Sequence, residues 1–376
     1  MGPLCPYFGT CGGCSAQHIP YELQLENKQK VVLNELRKNH VIYDGEIPLF
    51  FGESYSYRNR MDFVFSQMGP GLRQKERFNH IVPIEQCVIA NKKINQLLSD
   101  VRSWFAANRN EIDIFNLQRM TGTLKYAVTR AAEHTDSSTV SFVLNEDSPK
   151  FGHHIELIRR FSTTAKNIVI ARVPSKSDLS TSTDCFAVKG DVFMDELLCD
   201  RQFHFSSQGF FQNNTKMTEK MISYSKDVLH KYDTHAPLID LYGGAGTFGV
   251  SLGSIFEKTT IIDIEGPNIT MANKNMIGNK VKGEALAGDA SLLAKINLPK
   301  RWFLITDPPR TGMHPKVIKL IQSLAPSVIL YVSCNPQQLA KELKHFTSYA
   351  IKSVAVFDLF PQTPHEEVIA ELCMNE

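Results

Sequence analysis

The sequence predicts an α/β protein whose C-terminal half forms a doubly wound sheet, preceded by an α+β region. Beyond about residue 201, near-continuous apolar runs alternate with helical stretches, as parallel strands covered by helices on both faces do. Between about residues 50 and 200 the apolar runs are short and alternate with polar residues, which favours antiparallel strands. A glycine-rich loop follows the first apolar run of the C-terminal half, at the edge where such sheets bind ligands.

Length and composition limit the class of protein. A chain of 376 residues is too long for one ordinary core. We therefore predict one domain over residues 1–200 and a second over residues 201–376, with a helix in residues 20–40 packing on the second. Hydrophobic residues at 43% and charged residues at 21% are typical of globular enzymes. No apolar run approaches the roughly 18 residues of a membrane span, and residues 1–20 have no signal-peptide core, so we expect a cytoplasmic monomer.

The periodicity of apolar residues predicts each element in turn. Residues 21–38 form one amphipathic helix with a polar outer face. The middle region contains strands near residues 61–65, 126–128 and 140–144 and a helix near residues 92–107. In the C-terminal half we predict strands at 238–241, 260–264, 303–306, 328–332 and 354–357, and helices at 268–279, 315–324 and 336–346.

Basic and aromatic residues alternate within one short stretch of the middle region. The net charge is only +2, so the whole-chain charge does not demand a nucleic-acid partner. Basic side chains can neutralise phosphates while aromatic faces stack on unpaired bases. A half-buried antiparallel sheet with one solvated face explains the pattern equally well. The residues are Arg58, Arg60, Arg73, Lys75 and Arg77, with Tyr55, Tyr57, Phe63, Phe65 and Phe78.

Four of the eight cysteines suggest a metal site. Cys5, Cys11 and Cys14 lie close together, and Cys87 follows after a long gap. In a cytosolic chain this pattern favours metal binding over disulfides. On spacing alone, four such thiolates suit zinc and an iron–sulfur cluster equally well.

The glycine-rich loop at residues 242–249 suggests an adenosine-containing cofactor. Gly243, Gly244 and Gly246 allow a sharp turn and a close approach of ligand to backbone. About twenty residues later, Asp263 ends the next strand, where an acid can accept hydrogen bonds from ribose hydroxyls. The loop departs from the dinucleotide spacing and lacks a phosphate-binding lysine or arginine. S-adenosylmethionine, which has a ribose and no phosphate, therefore fits better than NAD.

Two later strands end in residues suited to chemistry on a base. Asp307 and two prolines follow one strand, which leaves a carboxylate and carbonyls to receive the hydrogens of a planar base. Cys334 follows the next strand and precedes a helix, where backbone N–H groups favour a thiolate, although a buried core cysteine is the commoner case. Glu366 and Glu367 lie further along and could remove a proton.

Five ordered motifs make the chain resemble the RNA uracil-5-methyltransferases from Cys5 onward. They are residues 208–214 (QGFFQNN), 240–246 (DLYGGAG), 307–312 (DPPRTG), 333–336 (SCNP) and 360–368 (FPQTPHEEV).

The resemblance implies a Rossmann-like class I S-adenosylmethionine-dependent methyltransferase domain and an RNA substrate. Cys334 would be the nucleophile and Glu367 the base. Contacts with S-adenosylmethionine would come from Gln212, Tyr242, Asp263 and Asp307. The cysteine set and residues 57–61 (YRNRM) match the branch of the family that carries iron–sulfur clusters, which implies a [4Fe–4S] cluster on Cys5, Cys11, Cys14 and Cys87.

Two residues depart from the family pattern, and the sequence leaves alternatives for the substrate. The family usually has cysteine at Gly243 and often glutamate at Asp263, whose shorter side chain weakens the expected ribose contact. Many relatives begin with an extra RNA-binding barrel, whereas this chain starts at the cysteines, so we expect 23S ribosomal RNA as substrate. The alternatives are a transfer RNA enzyme acting on the T-loop and an RNA-binding assembly factor without activity. A radical enzyme is disfavoured, because its compact cysteine grouping is missing.

Overall fold

The computed structural model describes residues 2–375, which form two compact units. Within the described residues, the first unit comprises residues 2–19, 53–196 and 205–209, and the second comprises residues 20–52, 197–204 and 210–375. The units are thus interleaved along the chain, whereas the predicted organisation has a single boundary at residue 200. None of the helices in the described residues is long and apolar enough to span a membrane.

The first unit contains a seven-stranded sheet in the order β4-β3-β2-β5-β6-β7-β8. All neighbouring strands are antiparallel except β6 and β7. The helices pack their apolar faces against one side of the sheet, around Trp104 and Phe142. The elements are β2 (Arg60–Ser66), β3 (Gly69–Gln74), β4 (Arg77–Pro83), α2 (Lys92–Ala107), β5 (Leu124–Ala131), β6 (Ser138–Asn145), α3 (Phe151–Arg159), β7 (Asn167–Val173) and β8 (Cys185–Lys189).

The second unit is a doubly wound α/β fold around an eight-stranded sheet, in the order β1-β16-β17-β15-β14-β11-β12-β13. Its elements are α1 (Tyr21–Lys38), β1 (Leu49–Phe50), α4 (Thr215–Leu229), β11 (Pro237–Leu241), α5 (Thr247–Leu252), β12 (Lys258–Asp263), α6 (Gly266–Gly278), β13 (Gly283–Ala287), β14 (Phe303–Thr306), α7 (Pro315–Leu324), β15 (Val328–Ser333), α8 (Pro336–Leu343), β16 (Tyr349–Phe357) and β17 (Glu367–Met374). A separate two-stranded sheet consists of β9 (Phe193–Leu198) and β10 (Arg201–Ser206).

One strand of this sheet runs against the others. β17 lies between β15 and β16 and is antiparallel to both, whereas the remaining neighbours are parallel. Consequently the start of β17 lies at the edge where β14 and β15 end. That edge carries the candidate site.

The helix at residues 21–38, predicted to pack on the C-terminal half, lies in the second unit as α1. Its apolar residues Val32 and Leu36 join the buried core around Ile329 and Val356. The middle of its polar face is buried as well, since Gln24 and Lys28 are 4% exposed.

Candidate active site

The thiol of Cys334 is presented between a buried strand and a helix. β15 ends at Ser333, and the Asn335 side chain caps α8 by accepting the backbone N–H of Gln338 at 3.3 Å. Cys334 is half-buried. Burial and, after it, the charge of the neighbouring Glu367 raise the pKa of its thiol to about 11, against the opposing charge of Arg310. The thiol is therefore accessible but needs help to ionise.

The carboxyl group of Glu367 is the thiol's neighbour across two strands. Val368 pairs with Ser333 in the antiparallel register of β15 and β17. Cys334 follows Ser333 and Glu367 precedes Val368, so both residues lie at the same edge of the sheet. Glu367 is 8% exposed. Its burial and the charge of Asp307 hold its pKa well above the ordinary range, while Arg310 acts in the opposite direction.

Two further carboxyl groups lie beside the cofactor loop. Asp307 follows β14, and burial and the charge of Asp240 raise its pKa to about 7. Asp240 is fully buried in β11, with its pKa raised to about 7 chiefly by burial. Its Oδ2 accepts the backbone N–H of Gly249 at 2.7 Å, and its Oδ1 has no hydrogen-bond partner within residues 2–375. An unpaired buried acceptor of this kind suits a cationic ligand.

Asp240 and Asp307 line a narrow cleft over the loop that follows β11. Three of the four residues expected to bind S-adenosylmethionine, Gln212, Tyr242 and Asp307, line it. The fourth, Asp263, holds the loop itself, since its Oδ2 accepts the backbone N–H of Gly244 at 3.0 Å. The full lining is Phe210, Gln212, Asp240, Tyr242, Gly243, Gly244, Ala245, Thr247, Phe248 and Asp307.

The loop requires glycine for steric reasons. Gly246 adopts a φ of +92°, a conformation that side chains with a Cβ rarely tolerate. A Cβ on Gly243 would lie 2.6 Å from Ile261 and 2.7 Å from Asp240. The glycine at position 243 is therefore matched to the close approach of Ile261 and Asp240.

Sequence reasoning did not assign roles to Asp240 and Arg310. Arg310 lowers the pKa of both Cys334 and Glu367, and its backbone carbonyl accepts the Asn335 side-chain amide at 3.0 Å. Its Nη2 lies 3.0 Å from Nδ1 of His365. An acid inside an apolar strand and a cation directly after Asp-Pro-Pro are the signals that could have found these two residues.

The four clustered cysteines form a separate group in the first unit. The loop that carries Cys11 adds to the edge of β3, because Gly12 N–H donates to the Arg73 carbonyl and Lys75 N–H donates to the Thr10 carbonyl, both at 2.9 Å. Cys87 is fixed from α2, where the Asn95 side chain accepts its N–H at 2.8 Å and donates to its carbonyl at 3.0 Å.

The donor chemistry of this group fits a thiolate-bound metal. Burial and the charges of the neighbouring thiols raise the pKa of Cys14 to about 12 and also raise those of Cys11 and Cys87. Backbone N–H groups of Ile89 and Ala90 stabilise the Cys87 thiolate, and such hydrogen bonds are typical of cluster sulfurs. Yet no three His, Cys, Asp or Glu side chains between residues 2 and 375 form a ready ligand set. The polypeptide alone brings the thiols near one another without closing a metal site.

The basic and aromatic stretch divides into two parts. Tyr57, Phe63 and Phe65 belong to the buried core, as the sheet interpretation predicts. Phe78 is 59% exposed, and the Arg73 guanidinium lies 3.7 Å from the centre of its ring. Lys75 and Arg77 are also exposed at the tip of the β3–β4 hairpin, so this tip retains the properties of an RNA contact.

Comparison with known proteins shows which family the chain resembles. Residues 20–372 match the family described as tRNA (Uracil-5-)-methyltransferase. The chain is 30% identical to the tRNA (uracil(54)-C(5))-methyltransferase of Pyrococcus abyssi, over 99% of this chain and 86% of that protein. It is 31% identical to an uncharacterised RNA methyltransferase of Caldanaerobacter subterraneus, over 98% of this chain and 84% of that protein.

A solved structure extends the likeness to the fold. The crystal structure of the Pyrococcus abyssi enzyme in complex with S-adenosyl-L-homocysteine superposes with a TM-score of 0.79 at 28% identity, covering 96% of this chain and 86% of that one. The doubly wound unit is thus a class I methyltransferase fold. The chain belongs to the tRNA (uracil-5-)-methyltransferase family and is an S-adenosylmethionine-dependent RNA (uracil-C5)-methyltransferase.

Proposed function

We propose that Cys334 is the nucleophile and Glu367 the base of this methyltransferase. The observation that carries the proposal is the convergence of the thiol, the buried Glu367 carboxyl group and Asp307 at one edge of the sheet. S-adenosylmethionine supplies an electrophilic methyl group when bound. Gln212, Tyr242 and Asp307 would hold it in the cleft that they line, and Asp263 would act through the ribose or through the loop that it bonds.

The uracil 5-carbon is a poor nucleophile, and a thiolate can activate it. The Cys334 sulfur adds to the neighbouring 6-carbon, and the electron pair of the ring double bond moves toward the 4-oxygen as an enolate. The 5-carbon then takes the methyl group, and the electron pair of the broken bond stays on the departing sulfur. Glu367 accepts the 5-proton, the ring double bond re-forms and the thiolate leaves. Two accessible steps thereby replace one prohibitive step.

Arg310 is suited to make the starting thiolate available. Its positive charge opposes the effects of burial on both Cys334 and Glu367. The target base must leave its stack to expose the faces of its ring to the thiol and the methyl group. Phe210, which is 61% exposed and lines the cleft, offers an aromatic face for it, whereas Phe211 is buried against Phe203.

Transfer RNA, with a T-loop uridine as the target, is the substrate that we propose. Three relatives from Pyrococcus species, 29–30% identical over 99% of this chain, are named tRNA (uracil(54)-C(5))-methyltransferases. This support favours transfer RNA, the alternative substrate, over the ribosomal RNA expected from the sequence.

We further propose that Cys5, Cys11, Cys14 and Cys87 bind a [4Fe–4S] cluster. Support comes from the mutual proximity of buried and half-buried thiols and from the backbone N–H groups directed at Cys87. Bound there, the cluster would tie the N-terminal segment to residue 87 and to α2.

The substrate proposal is tested with purified protein and tritiated S-adenosylmethionine. A transfer RNA transcript and the same transcript with cytidine at position 54 are compared with protein-free 23S ribosomal RNA. We expect incorporation only into the uridine-containing transfer RNA. Methylation of the ribosomal RNA alone would restore the original preference, and methylation of neither RNA would reject both substrates.

A further inference from the structure

The loop that leads into Glu367 is largely buried although it has no regular structure, and only Pro364 and His365 in it are exposed. It runs from Asp358 to Glu366, between β16 and β17, and Asp358, Gln362 and Glu366 are 1–3% exposed. Irregular backbone usually lies at the surface, because buried carbonyls and N–H groups need partners. Something outside the loop must therefore satisfy its polar groups.

One face of α1 supplies those partners. Tyr21, Gln24 and Lys28 lie three and four residues apart, so their side chains share a side of the helix. The Tyr21 hydroxyl donates to Asp358 Oδ2 at 2.6 Å, and the Gln24 amide donates to Gln362 Oε1 at 3.0 Å.

Lys28 connects the beginning and the end of the loop through a single atom. Its Nζ donates to Asp358 Oδ1 at 2.5 Å, to the Phe360 carbonyl at 3.1 Å and to the His365 carbonyl at 2.7 Å. An ammonium group has three hydrogens, so every donor has a partner. The His365 carbonyl lies only two residues before Glu367, and no apolar side chain could hold these three acceptors together.

The charge of Lys28 also acts on Glu366 at the end of the loop. Burial raises the pKa of Glu366 to about 7, against the opposing charge of Lys28. Lys28 and Asp358 are paired almost without solvent, with side chains 5% and 1% exposed. The geometry of such a pair is fixed, because leaving either charge alone in the interior is unfavourable.

We propose that Lys28 is a positioning residue for the reaction, which holds the loop from Asp358 to Glu366 so that Glu367 can remove the 5-proton from the methylated base. The inference rests on the proposed role of Glu367. It predicts a defect in one step only, because methyl transfer requires Cys334 and the cofactor, whereas release of the product requires the base.

The test measures the covalent protein–RNA adduct on denaturing gels with methyl-labelled S-adenosylmethionine. In Lys28→Met we expect kcat to fall by about 10- to 100-fold, the scale on which small misplacements of catalytic groups act. The labelled adduct should accumulate, and the affinity for S-adenosylmethionine should change by less than about twofold. Tyr21→Phe keeps the ring and the lysine, so it should fold readily and give a smaller increase in adduct.

Glu371→Gln is the matched control, since Glu371 is also buried in β17 and bonds Tyr232 and Ser353. We expect it to lower thermal stability without adduct. If Lys28→Met and Tyr21→Phe behave like this control, or like the unaltered protein, the positioning role is wrong. Glu367→Gln is run beside them: if it traps no adduct, the proposed base is wrong, which is a separate failure.

Discussion

The second unit contains a group of sulfur and carboxyl side chains and the first unit contains a group of four thiols. Different interactions bring the members of each group together. In the second unit Cys334, Glu367 and Asp307 are brought together by the ends of strands, and the sheet register alone determines their proximity. In the first unit four thiols come near one another from an N-terminal loop and from Cys87, but no closed ligand set forms within residues 2–375. The proposed catalytic edge is thus specified by backbone pairing, whereas the proposed metal centre would be completed by bonds to the metal.

The strongest test of this contrast removes the thiol at the sheet edge. Cys334→Ala should lower methyl incorporation into RNA by more than about 10⁴-fold, because the covalent route is lost. S-adenosylmethionine binding, measured by calorimetry, should be retained, since Cys334 does not line the cofactor cleft. Cys373→Ala, at another half-buried thiol of the same unit, is the control and should remain active. Comparable incorporation by both variants would exclude covalent catalysis through Cys334.

The second test asks whether the first unit depends on a metal. The Cys87→Ser protein, purified anaerobically, should contain no iron. The free energy of unfolding of this unit should fall by several kcal/mol, about the scale on which structural metals contribute. The cofactor affinity of the second unit should remain unchanged.

Cys185→Ser is the matched control for that test, because Cys185 lies in the first unit outside the cysteine group. Iron content is measured by elemental analysis and stability by denaturant titration. Zinc in place of iron would contradict the proposed cluster and indicate a simpler zinc site. Equal metal content and equal stability of the two serine variants would contradict a metal bound by these cysteines.

The smallest effect concerns pH and the acids beside the cofactor loop. Asp240 and Asp307 have pKa values raised to about 7, so each is protonated in acid, and a cationic cofactor favours the ionised form. Affinity for S-adenosylmethionine should therefore increase as pH rises through 7, by about tenfold between pH 6 and pH 8 for one group. The free energy of unfolding of the cofactor-free protein should decrease as pH rises from about 4 to 7, because the folded state retains a proton that the unfolded state has lost.

Calorimetry across this pH range distinguishes these acids from others. Asp240→Asn should flatten the rise in affinity, while Asp233→Asn should leave it unchanged, because hydrogen bonds to His235 and Arg301 lower the pKa of Asp233 and keep it ionised throughout. An affinity that stays constant from pH 6 to pH 8 in the unaltered protein would contradict the prediction.

The sequence predicted the elements of both units well, because apolar periodicity reflects burial. The helices at 21–38, 92–107 and 315–324 have the predicted bounds, and the strand at 303–306 does as well. The reversed direction of β17 could not be predicted, since an apolar strand has the same pattern in either direction. Neither β13 nor β17 is among the predicted strands of the C-terminal half, and the burial of β13 is incomplete.

Prediction of the site followed the same division. Asp307 and Cys334 follow apolar runs and Glu367 begins one, so the sequence predicts that all three lie at the ends of strands. Asp240 and Lys28 were not recognised, since they act from the interior of a strand and of a helix, and their partners, Asp307 and Asp358, are distant in sequence. Such pairs are created by tertiary packing, which local patterns do not contain.

The insertion of β17 between β15 and β16 has a consequence for biosynthesis. Within residues 2–375, β17 follows every other strand of its sheet along the chain, and proteins are made from the N-terminus. A nascent polypeptide therefore carries the strand with the thiol while the acid that would release a bound base has not yet been translated. On the chemistry proposed here, a ribosome-bound fragment could not complete a catalytic cycle, and turnover begins only when the final strand closes the sheet.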